Sequence, residues 1–219
     1  MSISITADGS HTVFSERFGE HYHSTNGALQ ESLHIFIEAG FNHQQGISPL
    51  KILEMGFGTG LNCFLTCVKS EELSIPVFFE TLEAFPLEQK LTANLNYPEY
   101  FGSGRYENLF KRIHEVEWES TQPVTKNFTL LKRHISLIDF KPATRYNLVY
   151  FDAFSPHSQP ELWTASVFTK LYDAMEAGSV LVTYSAKGEV KRNLRDVGFR
   201  VENLPGPPGK REMTRAIKS

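Results

Sequence analysis

The sequence has few of the features that direct a chain into a membrane or out of the cell. Its 219 residues contain no apolar run long enough to span a bilayer. The first residues, MSISITADGSH, lack the basic and apolar regions of a secretory signal. Only two cysteines occur, Cys63 and Cys67, and they do not form a CxxC pair. These absences predict a soluble cytoplasmic protein with reduced thiols and no disulfide.

Positive charge is also scarce overall, but it is concentrated at one end of the chain. The net charge is −3, whereas residues 187–219 hold nine Lys and Arg against four Asp and Glu, which gives +5 there and −8 elsewhere. This asymmetry is compatible with a phosphate-binding face on an acidic protein. A merely solvated surface is the alternative interpretation.

Apolar runs and glycines divide the chain into alternating strands and helices of a single α/β domain. The predicted strands are 51–55, 77–82, 128–131, 146–151 and 179–184, and the predicted helices are 61–68, 87–95, 163–175 and 189–197. Alternation at this spacing predicts a mostly parallel, doubly wound sheet covered on both faces. Residues 1–50 are predicted to form a helical N-terminal extension that packs over the cofactor site of the domain formed by residues 51–219.

Unusual polar residues follow the predicted strands at the points where they end. These are the segment Glu54 to Gly60, Glu83, Asp152, and Tyr184 with Ser185. In sheets of this kind, ligands bind at the carboxyl ends of the strands, near the point where the strand order reverses. The positions therefore predict one shared site.

The segment from Glu54 to Asn62, EMGFGTGLN, is a glycine-rich turn between a strand and a helix. Glycines let the backbone turn sharply and approach a ligand, and the helix that follows offers free N–H groups. A tight connection without a ligand is one alternative. A dinucleotide fingerprint is another, but it requires a small residue where this chain has Leu61. Glu83 at the next strand end can accept hydrogen bonds from both ribose hydroxyls, which favours S-adenosyl-L-methionine.

Asp152 follows the fourth predicted strand and begins the segment DAFSP, shortly before Gln159 to Trp163, QPELW. A carboxylate at a strand end beside aromatic loop residues can orient an amine and accept its proton. Methyl transfer from a sulfonium to an amine requires both actions. A helix cap or loop cap is the structural alternative for Asp152.

Several segments together resemble the MnmC-type tRNA methyltransferases, which have the class I (Rossmann-like) fold. They are Glu54 to Asn62, Asp152 to Pro156, Pro160 to Trp163, Thr183 to Ala186 and Gly209 to Met213. At the N-terminus, Asp8 to His11, Glu20 to Ser24 and Gly27 to Glu31 resemble the single-domain members. The resemblance covers nearly the whole chain.

This resemblance implies a reaction, a cofactor and a substrate. The family uses S-adenosyl-L-methionine to methylate the exocyclic amine of 5-aminomethyl-2-thiouridine at the tRNA wobble position, giving 5-methylaminomethyl-2-thiouridine. Many members carry a flavin-dependent oxidase domain behind the methyltransferase. Because this sequence stops at Ser219, we expect no FAD. We also expect no metal, since His21 and His23 have no third ligand at suitable spacing.

The resemblance also assigns roles to individual residues. Asp152 is implied as the catalytic residue at the substrate amine. The residues implied for the cofactor are Tyr22, Glu31, Glu54, Gly56, Gly58, Gly60, Asn62 and Glu83. Where class I enzymes often have Gly-Asp at the adenine amine, this chain departs with Arg133-His134, so we expect the adenine to be held by His134 or by the backbone. The residues expected to contact tRNA are Phe154, Trp163, Lys210 and Arg211.

Three other functions share part of this pattern. An aminopropyltransferase of the spermidine-synthase kind has the same fold and an acid after the fourth strand. A non-catalytic RNA-binding module could keep the fold without the chemistry, although Glu54, Glu83 and Asp152 are all present. A nicotinamide dehydrogenase fits least well, because Leu61 interrupts the fingerprint.

Overall fold

The computed structural model describes residues 1–102 and 104–219, and an eight-stranded sheet forms its centre. The order of strands in this sheet is β10-β11-β9-β8-β4-β5-β7-β6, and a second sheet of three strands has the order β1-β2-β3. The strands are β1 Ser2–Ile5, β2 His11–Ser15, β3 Glu20–His21, β4 Leu50–Met55, β5 Val77–Leu82, β6 Thr121–Pro123, β7 Phe128–Arg133, β8 Tyr146–Phe151, β9 Met175–Thr183, β10 Phe199–Pro205 and β11 Glu212–Lys218.

In the residues that the structure describes, six α-helices connect or cover these strands. They are α1 Ala28–Ser32, which continues as a π-helix through Leu33–Glu38, α2 Leu61–Leu73, α3 Gln89–Thr92, α4 Gly104–Glu115, α5 Ala165–Asp173 and α6 Gly188–Val197. Short 3-10 turns occur at Phe41–Gln44, Tyr97–Phe101 and Pro160–Trp163. In the described part of the chain, no helix combines the length and apolarity needed to cross a membrane.

The five central strands run parallel, which confirms the predicted doubly wound fold. Strand β4 pairs with β5 on one side and with β8 on the other, and β7 and β9 extend the sheet outward. The strand order therefore reverses at β4, and a crevice opens beside its carboxyl end. The glycine-rich segment begins at this point.

Apolar side chains cover both faces of the sheet, as its near-continuous apolar strands require. Ile52 and Tyr150 pack with Phe64 of α2 on one face. On the other face, Leu53 packs with Phe168 of α5. Successive strand residues thus supply the two cores in alternation.

The N-terminal extension differs from the expected helical segment. It begins with the antiparallel sheet β1-β2-β3, and only then forms the predicted helix as α1 and its π-helical continuation. The strand sequences SISI and HTVFS are short and rich in Ser and Thr, so they carry little apolar periodicity. Val13 of β2 nevertheless joins the core on the α2 face.

The basic end of the chain also contains two strands beyond the predicted elements. After α6, strands β10 and β11 form an antiparallel hairpin, and β11 pairs antiparallel with β9. Four of the nine basic side chains there form ion pairs, namely Lys191, Arg200, Lys210 and Arg215. Nearly half of the positively charged side chains in this segment are therefore paired with carboxylates of the same chain.

Candidate functional site

The turn after β4 brings two other segments against its backbone. Gly56 has φ +88°, and a Cβ there would lie 2.9 Å from the carbonyl oxygen of Asp152. Gly58 has φ +49°, and a Cβ there would lie 2.8 Å from Cδ1 of Tyr22. Any side chain would be strained by the backbone and would displace a neighbour. The glycines therefore allow Asp152 and Tyr22 to close on the same turn.

A cavity of about 640 Å³ lies at this carboxyl edge of the sheet. Its walls are the glycine turn, the end of β5, residues 135–137, the loop from Asp152, the N-terminal segment 18–25, and Lys210. This volume is in the range of pockets that enclose small ligands and cofactors. The strand-end motifs of the sequence thus meet at one site.

Glu83 stands at the end of β5 and fixes the glycine turn. Its Oε2 accepts a hydrogen bond from the Gly58 N–H at 2.9 Å, and its Oε1 accepts one from the Phe85 N–H at 2.8 Å. Burial raises the pKa of this carboxyl group, while the backbone N–H groups oppose the rise. The residue lines the cavity.

Glu54, by contrast, lies behind the turn. It is fully buried, its Oε2 accepts a hydrogen bond from the Thr81 hydroxyl at 2.6 Å, and it is not among the cavity residues. Burial raises its pKa well above the ordinary value. Gly60 also lies outside the cavity wall, because it faces the ring of His114. These two residues therefore support the turn from behind, contrary to the expected cofactor contact.

Asp152 lines the cavity directly after β8. The side-chain amide of Asn62, at the start of α2, donates a hydrogen bond to its Oδ2 at 2.8 Å. Burial raises the pKa of Asp152 to about 7, although the Asn62 hydrogen bond favours the charged form. Asn62 lines the same cavity, so it touches both the expected cofactor region and the expected catalytic carboxylate.

The N-terminal segment and the basic hairpin also meet at the wall of the cavity. Glu31 of α1 accepts a hydrogen bond from the Ser24 N–H at 2.9 Å and forms an ion pair with Lys210. The Lys210 Nζ also lies 4.2 Å from the ring centroid of Tyr184. Lys210 is therefore a wall residue of the cavity.

Aromatic rings surround the entrance. Phe154 stacks on Phe18 with centroids 4.3 Å apart and planes at 25°, and it meets the ring of Tyr22 edge-on at 4.9 Å. Next to them, the Arg17 guanidinium lies 3.5 Å from the ring centroid of Phe85. Phe154 was predicted from the sequence but Phe18 was not, because no local signal marks the β2–β3 turn that carries Phe18.

Glu20 joins the N-terminal sheet to the Asp152 loop. Its Oε2 accepts a hydrogen bond from the Ser155 N–H at 3.1 Å, and its Oε1 accepts one from the Ser158 hydroxyl at 2.8 Å. Glu20 stood in a segment that resembles the family, but no role was assigned to it. Glu20 and Ser155 are 135 positions apart in the sequence, so their hydrogen bond is evident only from the folded structure.

Besides Glu54 and Gly60, three further predicted site residues do not line the cavity. Trp163 is only 3% exposed and packs on Phe151, and its indole N–H donates to the Phe154 carbonyl at 2.8 Å. It therefore supports the Phe154 loop from the core. His134 points toward Trp118 instead, with ring centroids 6.0 Å apart, and residues 135–137 form the wall in its place. Arg211 is exposed beside the cavity residue Lys210.

Comparison with known proteins identifies the family. The sequence model of a family described as S-adenosyl-L-methionine-dependent methyltransferase matches residues 104–219, more than half of the chain. The chain belongs to this family. Its cofactor is accordingly S-adenosyl-L-methionine, and the predicted class I methyltransferase fold is confirmed.

Curated relatives of this methyltransferase carry the name tRNA 5-methylaminomethyl-2-thiouridine biosynthesis bifunctional protein MnmC. The relative from Azoarcus sp. is 30% identical over 227 residues, which cover 98% of this chain and 35% of that protein. The relative from Ralstonia nicotianae is 30% identical over 215 residues, which cover 93% of this chain and 32% of that protein. The methyltransferase thus spans about a third of the length of these relatives.

Solved structures agree on the fold. The crystal structure of MnmC2 from Aquifex aeolicus matches 100% of this chain and 70% of its own, with a TM-score of 0.83 and 25% sequence identity. Spermidine synthase from Thermotoga maritima matches 100% of this chain and 72% of its own, with a TM-score of 0.53 and 13% identity. At this identity, the similarity to spermidine synthase concerns the fold alone.

The glycine turn and cavity fit the methyltransferase cofactor. The turn presents backbone without side chains, Glu83 faces the cavity as a hydrogen-bond acceptor, and the volume suffices. Within the described residues, no group of three or more His, Cys, Asp or Glu is arranged to hold a metal ion.

Asp152 is expected to reduce the stability of the free methyltransferase. Its pKa rises from 3.8 to about 7 on folding, so its contribution to stability is present below pH 3.8 and is lost as the pH rises through 7. The full difference corresponds to roughly 4 kcal/mol, which cavity solvent reduces. We therefore expect Asp152→Asn to raise the free energy of unfolding at pH 8 by about 1–3 kcal/mol. Urea denaturation at pH 8 and pH 5 measures this gain, and an equal gain at both would contradict the titration.

Proposed function

We propose that this methyltransferase methylates the exocyclic amine of 5-aminomethyl-2-thiouridine at the wobble position of tRNA. The product is 5-methylaminomethyl-2-thiouridine, and the enzyme acts in the cytoplasm, where it meets tRNA. The observation that carries the proposal is the position of Asp152, a carboxylate with a raised pKa in the cavity that the glycine turn borders.

Asp152 suits an amine substrate better than a hydroxyl or a carbon. Asn62 donates to Oδ2, which leaves Oδ1 for the incoming ammonium group. In the proposed reaction, Oδ1 holds the ammonium and accepts one of its protons, so that the nitrogen lone pair can attack. A carboxylate with a pKa of about 7 is a suitable proton acceptor near neutral pH.

We assign the cofactor to the half of the cavity next to the glycine turn. Bound S-adenosyl-L-methionine supplies an electrophilic methyl group on a positively charged sulfur. Gly56 and Gly58 would contact its amino-acid part, Glu83 would accept hydrogen bonds from its ribose, and Tyr22 would cover it. Residues 1–50, which include Tyr22 and Glu31, would act as the extension that closes this half of the site.

We assign the nucleobase to the aromatic entrance. The rings of Phe18 and Phe154 lie beside Asp152 in the cavity wall, and aromatic stacking is the usual way in which proteins hold an unpaired base. The exposed Arg211 next to the entrance would contact a tRNA phosphate. The names of the MnmC relatives support the same nucleoside.

The proposal is tested by incubating the purified enzyme and S-adenosyl-L-methionine with tRNA that carries 5-aminomethyl-2-thiouridine. Nucleoside mass spectrometry is expected to show the methylated nucleoside, whereas matched tRNA with an unmodified wobble uridine should remain unchanged. A parallel reaction with decarboxylated S-adenosylmethionine tests aminopropyl transfer. An aminopropylated product, or no methylated nucleoside, would contradict the proposal.

A further inference from the structure

A second, smaller cavity adjoins the glycine turn. It has a volume of about 250 Å³ and shares Phe57 and Gly58 with the large cavity. Its other walls come from Leu87, Gln89 and Thr92, from the end of α4 with Trp118, and from Lys132 of β7. None of the residues that the structure places around it is acidic. It has no part in the proposed methyl transfer.

Lys132 brings an ammonium group to this cavity. The residue is 1% exposed, and its Nζ donates one hydrogen bond, to the His114 carbonyl at 2.8 Å. The Nζ also lies 5.0 Å from the ring centroid of Trp118 and 5.4 Å from that of Phe57. Burial lowers its pKa to about 8, so most of the population is charged at neutral pH.

This ammonium has no carboxylate partner. None of the ion pairs found in residues 1–102 and 104–219 includes Lys132. Aromatic faces attract a cation, but they compensate only part of the cost of removing it from water. Two of the three N–H groups on Nζ remain available to a ligand.

Two uncharged polar side chains, His114 and Gln89, also lie in the cavity wall. In the described part of the chain, the buried Nε2 of His114 has no hydrogen-bond partner. Burial, with a contribution from Lys132, lowers the pKa of His114 to about 4, so its ring is neutral at pH 7 and Lys132 supplies the positive charge of the cavity. Gln89 lines the exposed mouth of the cavity and can donate from its amide.

We propose that the cavity bounded by Lys132, His114 and Gln89 is a binding site for a small free oxyanion of the size of inorganic phosphate. The buried positive charge supplies the attraction, and the N–H groups of Lys132 and of the Gln89 amide supply direction. The volume admits such an ion together with several water molecules. Because Phe57 and Gly58 border both cavities, the ion would also contact the turn that we assign to the cofactor.

The fluorescence of Trp118, which lies beside Lys132, reports on this site. Inorganic phosphate is titrated at constant ionic strength against chloride, with sulfate in a second series. We expect a saturable change with one site per chain, and Lys132→Met is expected to weaken binding roughly tenfold or more. The matched control is Lys126→Met, which removes an exposed lysine and should bind phosphate as the unaltered protein does.

A second variant tests the site without changing a buried residue. Gln89→Glu places a negative charge at the exposed mouth and is expected to weaken phosphate binding, whereas Gln30→Glu makes the same change at the exposed position of α1 and should not. If Lys132→Met does not fold, the proposal is tested by comparing the phosphate affinities of Gln89→Glu and Gln30→Glu. A titration without saturation, or equal affinity in Gln89→Glu and Gln30→Glu, would overturn the proposal.

Discussion

Asp152→Asn is expected to reduce kcat/KM for the tRNA substrate by a factor of about 10²–10⁴, the usual contribution of a positioned acid or base. Asparagine has nearly the same shape and keeps an oxygen that can accept the Asn62 hydrogen bond. It can neither pair with an ammonium group as an anion nor accept its proton. Affinity for S-adenosyl-L-methionine, measured by calorimetry, is expected to change little, because the carboxylate faces the substrate in our assignment.

The pH dependence of the same reaction provides an independent check. The carboxylate must be ionised to accept a proton, and the pKa of Asp152 in the free enzyme is about 7. Therefore kcat/KM should rise as the pH increases through about 7, and this inflection should disappear in Asp152→Asn. Asp196→Asn, an exposed aspartate on α6, is the matched control. Unchanged turnover in Asp152→Asn would refute the catalytic assignment.

The sequence predicted the centre of this fold well, because buried parallel strands have a distinct local signal. Strands β5 and β8 were predicted at 77–82 and 146–151, as the structure has them. Each is a short apolar run followed by a polar residue at the carboxyl edge. Glu83 and Asp152 could therefore be placed at one site from local patterns and the rule for parallel sheets.

The remaining parts of the site depend on contacts between distant segments. Phe18 reaches Phe154 only because the unpredicted sheet β1-β2-β3 lies across the entrance, and Glu20 reaches Ser155 by the same route. Strands β10 and β11 were missed because five of their fourteen residues are charged, which interrupts the apolar pattern of a strand. Trp163 was expected to contact the substrate because it is an aromatic residue near the site, but its side chain belongs to the core.

Glu83→Gln is expected to weaken binding of S-adenosyl-L-methionine by roughly 10- to 100-fold, the loss typical of a charged hydrogen-bond partner. Both carboxylate oxygens already accept backbone N–H groups, from Gly58 and from Phe85. A glutamine has only one side-chain oxygen, so its NH₂ must face one of these backbone donors or the ribose. If the NH₂ faces the Gly58 N–H, the glycine turn loses the hydrogen bond that fixes it. If the NH₂ faces the ribose, the cofactor loses a hydrogen-bond acceptor.

Calorimetry and steady-state kinetics together locate the effect of Glu83→Gln. Because the side chain is assigned to the cofactor and not to the amine, kcat at saturating cofactor should fall much less than affinity, which is the reverse of the result for Asp152→Asn. Glu88→Gln, an exposed substitution immediately before α3, should leave cofactor affinity unchanged. Cofactor affinity within twofold of the unaltered enzyme in Glu83→Gln would show that Glu83 does not hold the ribose. The glycine turn would then have to bind the cofactor through its backbone alone.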